Sequence, residues 1–444
     1  MEHLTELQAK ITKSLPQFSN ENSLYFKPAS LEEWENTWDF GEFDANIYNH
    51  GLHQYPARFI PQLVRKIIRT FASQDSSVLD IFSGSGTTLL ECKYMGIKNA
   101  YGIELNPFAV FMTKTKLQDL DENDVIEELK NIEKKYADSS YTYPLVAFKN
   151  IEFWYSQKAI SALSKLIDII SKIADEKVKQ FYLLVFCEIS RKTSFLDHGG
   201  FKMYRSRTKI ETHFEPDVWN EFYKTAQRNG DLLKENNKLT KNNETKQTLI
   251  LGDSRIIHPE IPKHSIDLIL TSPPYGDSKT TVAYGQYSRL PWQWLSQKDD
   301  IIRLDSSLLG GSTKNLDTSI LQLSKKLQEQ AEAIQKADDS KRVNDVIAFY
   351  NDLYATLTSA TQYLKKDGYF ILVTGNRTVK KVYLRTDIII TEFAETLGYS
   401  TEKVYSRNII NKRMASKNSP TNEKGKTVNT MMTENIIVLK RISL

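Results

Sequence analysis

One short segment places a hydroxyl, two prolines and an aromatic ring directly after an apolar run. Thr271-Ser272-Pro273-Pro274-Tyr275 follows IDLIL in this 444-residue chain. Two prolines after a strand end its hydrogen-bonding ladder and fix an extended backbone. The stop therefore projects the Ser272 hydroxyl, the Tyr275 ring and backbone carbonyls beyond the carboxyl edge of a sheet, where open α/β sheets bind ligands. A plain strand terminator would have the same sequence, so the meaning of the segment depends on its surroundings.

A glycine-rich turn, Asp80-Ile81-Phe82-Ser83-Gly84-Ser85-Gly86-Thr87, supplies such surroundings. Glycines let a backbone turn sharply and approach a ligand, and the start of the following helix offers unpaired N–H groups. The full GxGxxG pattern is absent, because position 89 is Leu. Glu104 follows Gly86 by 18 residues, near the offset at which an acidic residue binds ribose hydroxyls. Together the turn and Glu104 favour a nucleoside cofactor over a turn without a ligand.

The elements that would position these residues alternate between strand and helix. We predict strands over 76–82 and 99–105, joined by a helix over 87–96, which is a βαβ unit. Later strands are predicted at 248–253, 266–275, 368–376 and 434–442. The predicted fold class is α/β, with a doubly wound, mostly parallel sheet and large, mainly helical insertions.

The same pattern suggests how the chain is divided. Residues 1–50 are predicted to form an irregular N-terminal segment, and 51–118, 247–299 and 346–444 the catalytic domain. Residues 119–246 read as a helical insertion and a candidate target-recognition region, and 300–345 as a second helical insertion.

Five stretches resemble the motifs of S-adenosylmethionine-dependent amino DNA methyltransferases, which methylate the exocyclic amine of cytosine or adenine. They are YPARFIPQLV (55–64), VLDIFSGSGTTLLE (78–91), YGIELNP (101–107), LILGDS (249–254) and TSPPY (271–275). The resemblance covers about half of the chain, and its most specific part is the glycine loop paired with TSPPY. It implies a Rossmann-like fold and S-adenosylmethionine as the cofactor.

The resemblance also implies roles for individual residues. The glycine loop would hold the methionine end of the cofactor, Glu104 its ribose and Asp253 its adenine, with Phe59 beside it. The implied cofactor-binding residues are Phe59, Asp80, Phe82, Ser83, Gly84, Gly86, Thr87, Thr88, Glu104, Leu105 and Asp253.

For catalysis, the resemblance points to Ser272, Pro273, Pro274 and Tyr275. The target base must leave the helix stack, after which Tyr275 would stack on it. The Ser272 hydroxyl and the Pro273 carbonyl would accept hydrogen bonds from its amine. In the enzymes that this chain resembles, SPPY goes mostly with N4 of cytosine, which is therefore the predicted target. N6 of adenine, an RNA base, and an inactive cofactor-binding DNA-recognition subunit remain alternatives.

Charge is concentrated in two segments. The formal net charge is +4, but segments 191–209 and 403–426 carry +5 and +6, which leaves −7 on the rest. Such basic runs suit double-stranded DNA, although a solvated loop would look the same. The candidate DNA-binding residues are Arg191, Lys192, Lys202, Arg205, Arg207, Lys209, Lys412, Arg413 and Lys417.

Other partners and sites are predicted from what the sequence lacks. Two cysteines, Cys92 and Cys187, exclude a disulfide scaffold, and the histidines do not cluster, so we expect no metal. Without an apolar run of membrane length or a signal-peptide core, we expect a cytoplasmic protein of a prokaryotic cell, with a cognate restriction endonuclease as partner.

Two further groups of residues stay open. Tyr284, Tyr287, Trp292 and Trp294 could line a base pocket or fill a core, and Asn376 and Arg377 end a predicted strand at the ligand-binding edge.

Overall fold

The computed structural model of the chain describes most of its residues. The described ranges are 37–40, 43–197, 202–240, 244–277, 280–297, 300–314, 316–337, 340–409, 417–418, 428–429 and 432–443.

Strands with near-continuous apolar sequences account for most of the sheet. In the described residues the strands are β1 (Ser77–Asp80), β2 (Asn99–Glu104), β3 (Lys246–Leu251), β4 (Ile266–Thr271), β5 (Leu364–Thr374), β6 (Arg377–Val379), β7 (Val382–Leu384), β8 (Tyr399–Asn408), β9 (Lys417–Asn418), β10 (Val428–Asn429) and β11 (Thr433–Arg441).

Seven of these strands form one sheet in the order β3-β2-β1-β4-β5-β11-β8. The pairs from β3 to β5 are parallel, whereas β11 runs antiparallel to both β5 and β8. The chain crosses outward from β1 to β3 and then returns to β4 on the other side. The prediction of a doubly wound, mostly parallel sheet is confirmed.

The helices are amphipathic or apolar segments between the strands. They are α1 (Pro61–Phe71), α2 (Thr87–Tyr94), α3 (Pro107–Leu117), α4 (Glu122–Ala137), α5 (Ile151–Trp154), α6 (Gln157–Ser171), α7 (Glu176–Lys192), α8 (Arg207–Glu211), α9 (Val218–Thr240), α10 (Tyr284–Ser296), α11 (Leu304–Ser307), α12 (Lys325–Ala337), α13 (Ser340–Thr361) and α14 (Thr386–Thr396). Short 3-10 helices lie at Tyr48–Leu52, Asp300–Arg303 and Thr318–Leu323.

Both faces of the sheet are buried. Neighbouring strand residues point to opposite faces and therefore belong to different cores. Leu79 belongs to a core that includes residues of α12, α13 and α14, while its neighbour Val78 belongs to a core with residues of α1 and α2. Ile269 and Leu268 divide in the same way. Because strands β1 to β5 run parallel, their carboxyl ends share one edge of the sheet.

A third core lies mainly in the helices between α3 and α10. It is rich in aromatic and aliphatic side chains of α6, α7 and α9, and it includes the fully buried Trp294 of α10. Residues 119–246 are thus mainly helical. Their role in target recognition stays a prediction.

Two details differ from the sequence prediction. Strand β8 was not predicted, because most of its residues from Ser400 to Ser406 are polar and exposed, as in an edge strand. The predicted end of the second insertion at 345 falls inside α13, which is continuous and packs on the sheet. That helix belongs with the sheet, and the other domain boundaries stay predictions.

Gly86 provides a test of how the turn after β1 packs. Its φ is +79°, and an added Cβ would lie 2.9 Å from Thr113 Oγ1 and closer still to the Thr113 methyl group. We expect Gly86→Ala to lower the free energy of unfolding by roughly 2–4 kcal/mol, from overpacking and left-handed strain. Urea unfolding of the ligand-free protein measures this change.

Gly230, inside α9, is the matched control, since an added Cβ there has no neighbour within 4 Å. Gly230→Ala should stabilise by up to about 1 kcal/mol through helix propensity. Equal stability of Gly86→Ala and the unchanged protein would contradict the packing described for the turn.

Candidate active site at the carboxyl edge of the sheet

A buried carboxylate joins the two predicted loops. Asp80 ends β1, and its side chain is 2% exposed. It accepts hydrogen bonds from Thr88 Oγ1 (2.6 Å), Thr271 Oγ1 (2.7 Å) and the Phe82 N–H (3.1 Å). Burial raises the pKa of Asp80 to about 6, while these three hydrogen bonds act in the opposite direction. The glycine-rich turn and the first residue of TSPPY are therefore bound to one group.

Glu104 stands at the end of the neighbouring strand β2. Its two oxygens accept hydrogen bonds from the Gly84 N–H and the Asn106 N–H, each at 2.8 Å. Burial raises the pKa of Glu104 to about 7, against the effect of the backbone hydrogen bonds. The carboxylate thus fixes the turn after β1 relative to the turn after β2.

Asp253 follows β3 and forms part of a chain of charges. Its carboxylate contacts the Arg255 guanidinium at 2.6 and 3.0 Å, and Arg255 also pairs with Asp352 at 2.9 Å. Burial opposes ionisation of Asp253, but the hydrogen bonds and charge of Arg255 outweigh it and hold the pKa below its usual value. Arg255 also donates to the Ser307 carbonyl at 2.9 Å, so these charged groups fix the end of α11.

These groups line one cleft, with about 860 Å³ of empty space that opens to solvent. Of the residues predicted to bind the cofactor, the cleft wall contains Phe59, Asp80, Phe82, Ser83, Gly84, Thr87, Glu104, Leu105 and Asp253. The segment Ser307–Leu309 forms part of the wall as well.

Gly86 and Thr88 lie behind the wall. Gly86 packs on Thr113 of α3, and Thr88 is buried with its hydroxyl on Asp80. Both residues thus support the turn in this structure, and their direct contact with the cofactor stays a prediction.

The lining fits a nucleoside cofactor with an amino-acid end. Ser83 Oγ is buried and has no hydrogen-bond partner among the described residues, so it is available to a polar ligand. Gly84, with φ of +50°, exposes backbone without a side chain, and two carboxylates stand at the ends of β2 and β3. This donor and acceptor set suits S-adenosylmethionine, and both Glu104 and Asp253, which the sequence predicts as its ribose and adenine contacts, line the cleft.

The TSPPY segment meets this cleft through part of its length. Ser272 and Pro274 line it, whereas Pro273 and Tyr275 do not belong to its wall. Ser272 Oγ donates to the Val373 carbonyl at 3.0 Å and contacts Tyr275 Oη at 3.4 Å. The Tyr275 hydroxyl donates to Glu434 at 2.9 Å, and burial raises its pKa well above the ordinary value, so it stays a neutral phenol.

Two tyrosines form a wall that sequence reasoning did not assign. Tyr55 and Tyr284 stack with ring centroids 5.7 Å apart, and both line the cleft. The Asn106 amide binds the Tyr55 hydroxyl at 3.1 Å and the Ser288 hydroxyl at 2.8 Å. Tyr55 begins the YPARF stretch, so a search for aromatic residues inside the matched motifs could have found it.

Burial and contacts distinguish the aromatic residues that fill a core from the one that lines the cleft. Trp294 is fully buried, and Trp292 packs against the same helical core. Tyr287 packs on Arg191 and donates to the Gln54 carbonyl at 2.8 Å. Of these aromatic residues, Tyr284 is the one that lines the cleft.

Arg377 supports the segment after TSPPY, whereas Asn376 binds the start of α14. Arg377 and Arg342 each pair with Asp277 at 3.1 Å, and Asp277 is fully buried. Asn376 accepts a hydrogen bond from the Asp387 N–H at 3.2 Å. The side chains of Asn376 and Arg377 thus bind other residues of the protein in this structure.

Among the predicted DNA-binding residues, Arg191 is buried. Its side chain is 8% exposed, and its guanidinium lies 3.9 Å from the Tyr287 ring centroid. The side chain is thus held inside the protein in this structure, and a contact of Arg191 with DNA stays a prediction.

The other basic candidates differ in exposure. Arg207 is the most open, with a side chain 90% exposed beside Glu211, and Lys192 pairs with Glu188 at 2.9 Å. Lys209 donates to the Ser194 carbonyl at 2.7 Å. Arg205 and Lys202 are half-buried, and the Arg205 guanidinium lies over the Phe153 ring.

The predictions for the second basic segment fall largely outside the described residues. Lys412 and Arg413 are not described, and Lys417 is described only as backbone of β9, which pairs with β10.

Within the described ranges, no group of three or more histidine, cysteine or acidic side chains could hold a metal ion. None of the helices described for this chain is long and apolar enough to cross a membrane.

Comparisons with known proteins show the family of this chain. The profile of a family described as DNA methylase matches residues 8–115, which include the glycine-rich turn and Glu104. Type II methyltransferase M.MvaI of Kocuria varians is 33% identical over 99% of both chains. Type II methyltransferase M.MjaII of Methanocaldococcus jannaschii is 26% identical over 44% of this chain and 41% of its own length.

A solved structure of a SAM-dependent methyltransferase from Methanosarcina mazei aligns at 8% identity, over 88% of this chain and all of that one, with a TM-score of 0.29. The fold assignment rests on the strand order rather than on that alignment. With a relative of 33% identity along nearly its whole length, the chain belongs to the S-adenosylmethionine-dependent amino DNA methyltransferases of the Type II methyltransferase group.

Proposed function

We propose that this protein methylates the exocyclic N4 of cytosine in double-stranded DNA after flipping the base out of the helix. The observation that carries the proposal is the position of Ser272 and Pro274 in the same cleft as the residues suited to the cofactor. S-adenosylmethionine, when bound, supplies an electrophilic methyl group. The task of the chain is to bring an amine nitrogen to that position and to orient it.

Ser272 is suited to orienting an amine. Its hydroxyl proton is directed to the Val373 carbonyl and to Tyr275, so its oxygen can accept a hydrogen bond from the cleft side. An exocyclic amine is a poor nucleophile, because its lone pair is delocalised into the ring. Acceptors placed around its N–H groups favour a tetrahedral nitrogen and reduce that delocalisation.

Aromatic rings are available for a flipped base. Tyr284 lines the cleft beside Tyr55, and its ring can supply stacking worth roughly 1–3 kcal/mol per base. Tyr275 lies next to this wall, with its hydroxyl bonded to Glu434. We propose that a flipped base sits between the TSPPY segment and these rings.

The choice of cytosine over adenine rests on the neutral side chain at 272. In the enzymes that this chain resembles, SPPY accompanies N4 of cytosine more often than N6 of adenine. The closest alternative is adenine N6, whose amine could accept the same contacts.

DNA contacts are proposed for the segment after α7. The backbone of Phe195 and Asp197 pairs with that of Tyr204 and Ser206, and Tyr204 is 61% exposed. The Met203 N–H donates to Gln286 at 3.0 Å, which joins this segment to α10, the helix that starts at Tyr284. Lys192, Lys202 and Arg207 would meet phosphates here, with an affinity that falls as salt rises.

The Type II relatives suggest the biological setting. We propose that the protein acts in a restriction-modification system in a prokaryotic cytoplasm, with a cognate endonuclease that cuts the same DNA sequence when it is unmethylated.

The reaction is tested by identifying the product. The protein is incubated with labelled S-adenosylmethionine and unmethylated DNA, and the digested nucleosides are separated by mass. We expect N4-methylcytosine, and we expect Ser272→Ala to lower kcat about 100-fold, as for the loss of one positioned polar contact. N6-methyladenine would overturn the base assignment. Label in RNA alone would overturn DNA as substrate, and no label in either would favour an inactive subunit.

The proposed ribose contact predicts a pH dependence of cofactor affinity. With a pKa of about 7, Glu104 carries a proton below that pH, whereas ribose hydroxyls donate to the ionised carboxylate. Binding must displace the proton, so affinity should rise with pH by up to about tenfold per unit and level off above the pKa. Calorimetric titration with S-adenosylhomocysteine between pH 5.5 and 8.5 (roughly the window set by this pKa) measures the effect.

Glu104→Gln is the matched control, because it keeps the shape of the side chain but cannot titrate. Its affinity should be weaker and should depend less on pH. The same pH profile in both proteins would show that another group is responsible.

A further inference from the structure

A chain of polar contacts runs from the cleft to the far strands of the sheet. Ser272 Oγ contacts Tyr275 Oη at 3.4 Å, Tyr275 donates to Glu434 Oε1 at 2.9 Å, and Glu434 Oε2 pairs with Arg407 at 2.8 Å. Neither Glu434 nor Arg407 lines the cleft. The contacts of Glu434 are therefore not explained by cofactor or substrate binding.

Strand direction explains how Glu434 reaches the site. The strands from β1 to β5 end at the active edge, whereas the reversed strand β11 begins there, at Thr433. Asn435 pairs with Thr374 at the end of β5, and Glu434 is opposite Arg407 in the β8 ladder. The reversed strand thus places an acidic side chain beside TSPPY, and its cross-strand neighbour supplies the opposite charge.

The direction of each hydrogen bond follows from its partners. An ionised carboxylate can only accept, so the Tyr275 hydroxyl must donate its proton to Glu434. Tyr275 then has no proton to give to Ser272, and the Val373 carbonyl has none either. The Ser272 proton is therefore directed to these two acceptors and away from the cleft.

We infer that Glu434 is a positioning residue for methyl transfer, held in place by Arg407. By fixing the proton of Tyr275, Glu434 fixes the proton of Ser272, and the lone pairs of Ser272 are left for the target amine. This inference rests on the proposed role of Ser272, and it applies to a cytosine or an adenine amine alike. It assigns a function to two residues of β8 and β11 that do not touch the substrate.

The burial of the Glu434–Arg407 ion pair supports the positioning role of Glu434. The Arg407 side chain is 3% exposed and that of Glu434 15% exposed, so water competes little for their pairing. Arg407 also belongs to the basic segment 403–426, yet its charge is turned inward and is paired. It does not serve as a phosphate contact.

The test is a double-mutant cycle on the full-length protein, with kcat, KM for DNA and the dissociation constant of S-adenosylhomocysteine as readouts. A Gln amide at position 434 can donate to the Tyr275 hydroxyl, which would reverse the direction of the hydrogen bonds from Tyr275 to Ser272. We expect Glu434→Gln to lower kcat about 10- to 100-fold, the factor for a hydrogen bond to a charged group, with both affinities nearly unchanged. In the Tyr275→Phe background, the same substitution should change kcat by less than about twofold.

Glu402→Gln is the matched control, since Glu402 lies exposed on β8 and bonds only locally to Ser400. Its kinetics should equal those of the unchanged protein. If Glu434→Gln does not fold, Arg407→Lys takes its place in the cycle, because Lys keeps the charge but loses the planar contact. We then expect a loss in kcat of about threefold or more that vanishes in the Tyr275→Phe background.

Two results would overturn the inference: an unchanged kcat in folded Glu434→Gln protein, or a full loss that persists without the Tyr275 hydroxyl. Ser272→Ala in the same assay separates this failure from a failure of the proposed function. If Ser272→Ala loses activity while Glu434→Gln does not, only the positioning role is wrong. If Ser272→Ala retains the full rate, the proposed role of the TSPPY segment is wrong.

Discussion

The buried carboxylate of Asp80 is the interaction on which the site depends. It stands at the end of β1 and binds Thr88 of α2 and Thr271 of β4 at the same time. Thr88 directly follows the glycine-rich turn and Thr271 directly precedes Ser272, so the two partners adjoin the loops that we assign to the cofactor and to the target base. A buried charged group with satisfied hydrogen bonds tolerates little displacement. Each hydrogen bond that is lost leaves a polar atom unpaired in a low-dielectric interior, which costs free energy. The relative position of the two loops is therefore set by one side chain.

Ion pairs extend this constraint outward from the edge of the sheet. Arg255 joins Asp253 to Asp352 of α13, and Arg377 joins the start of β6 to Asp277, just after TSPPY. Each pair connects a loop of the active edge to a later part of the chain. The Asp253–Arg255 pair lies in the wall of the cleft, and the Arg377–Asp277 pair holds the segment that follows TSPPY.

How far the sequence predicts this arrangement depends on the range of the contacts. The run VLDIF and the glycine turn are local patterns, and they predicted the strand and the turn that follows it, while the cofactor contacts inferred from the offset of Glu104 stay a prediction. Strand β8 escaped prediction, since an exposed polar edge strand has no apolar signature. Arg191 is a predicted DNA contact and Arg407 lies in the basic segment 403–426, but the partners of these two residues, Tyr287 and Glu434, are 96 and 27 residues away and are not visible in a local pattern.

The most direct test of the shared carboxylate is calorimetric titration of S-adenosylhomocysteine into Thr271→Val protein. Thr271 is fully buried and does not line the cleft, so a loss of affinity must be transmitted through Asp80. Thr374→Val is the control, because the buried Thr374 hydroxyl has no partner among the described residues. We predict about tenfold weaker binding for Thr271→Val, the loss of a hydrogen bond to a charged group, and unchanged binding for Thr374→Val. Unchanged affinity in folded Thr271→Val protein would contradict the account.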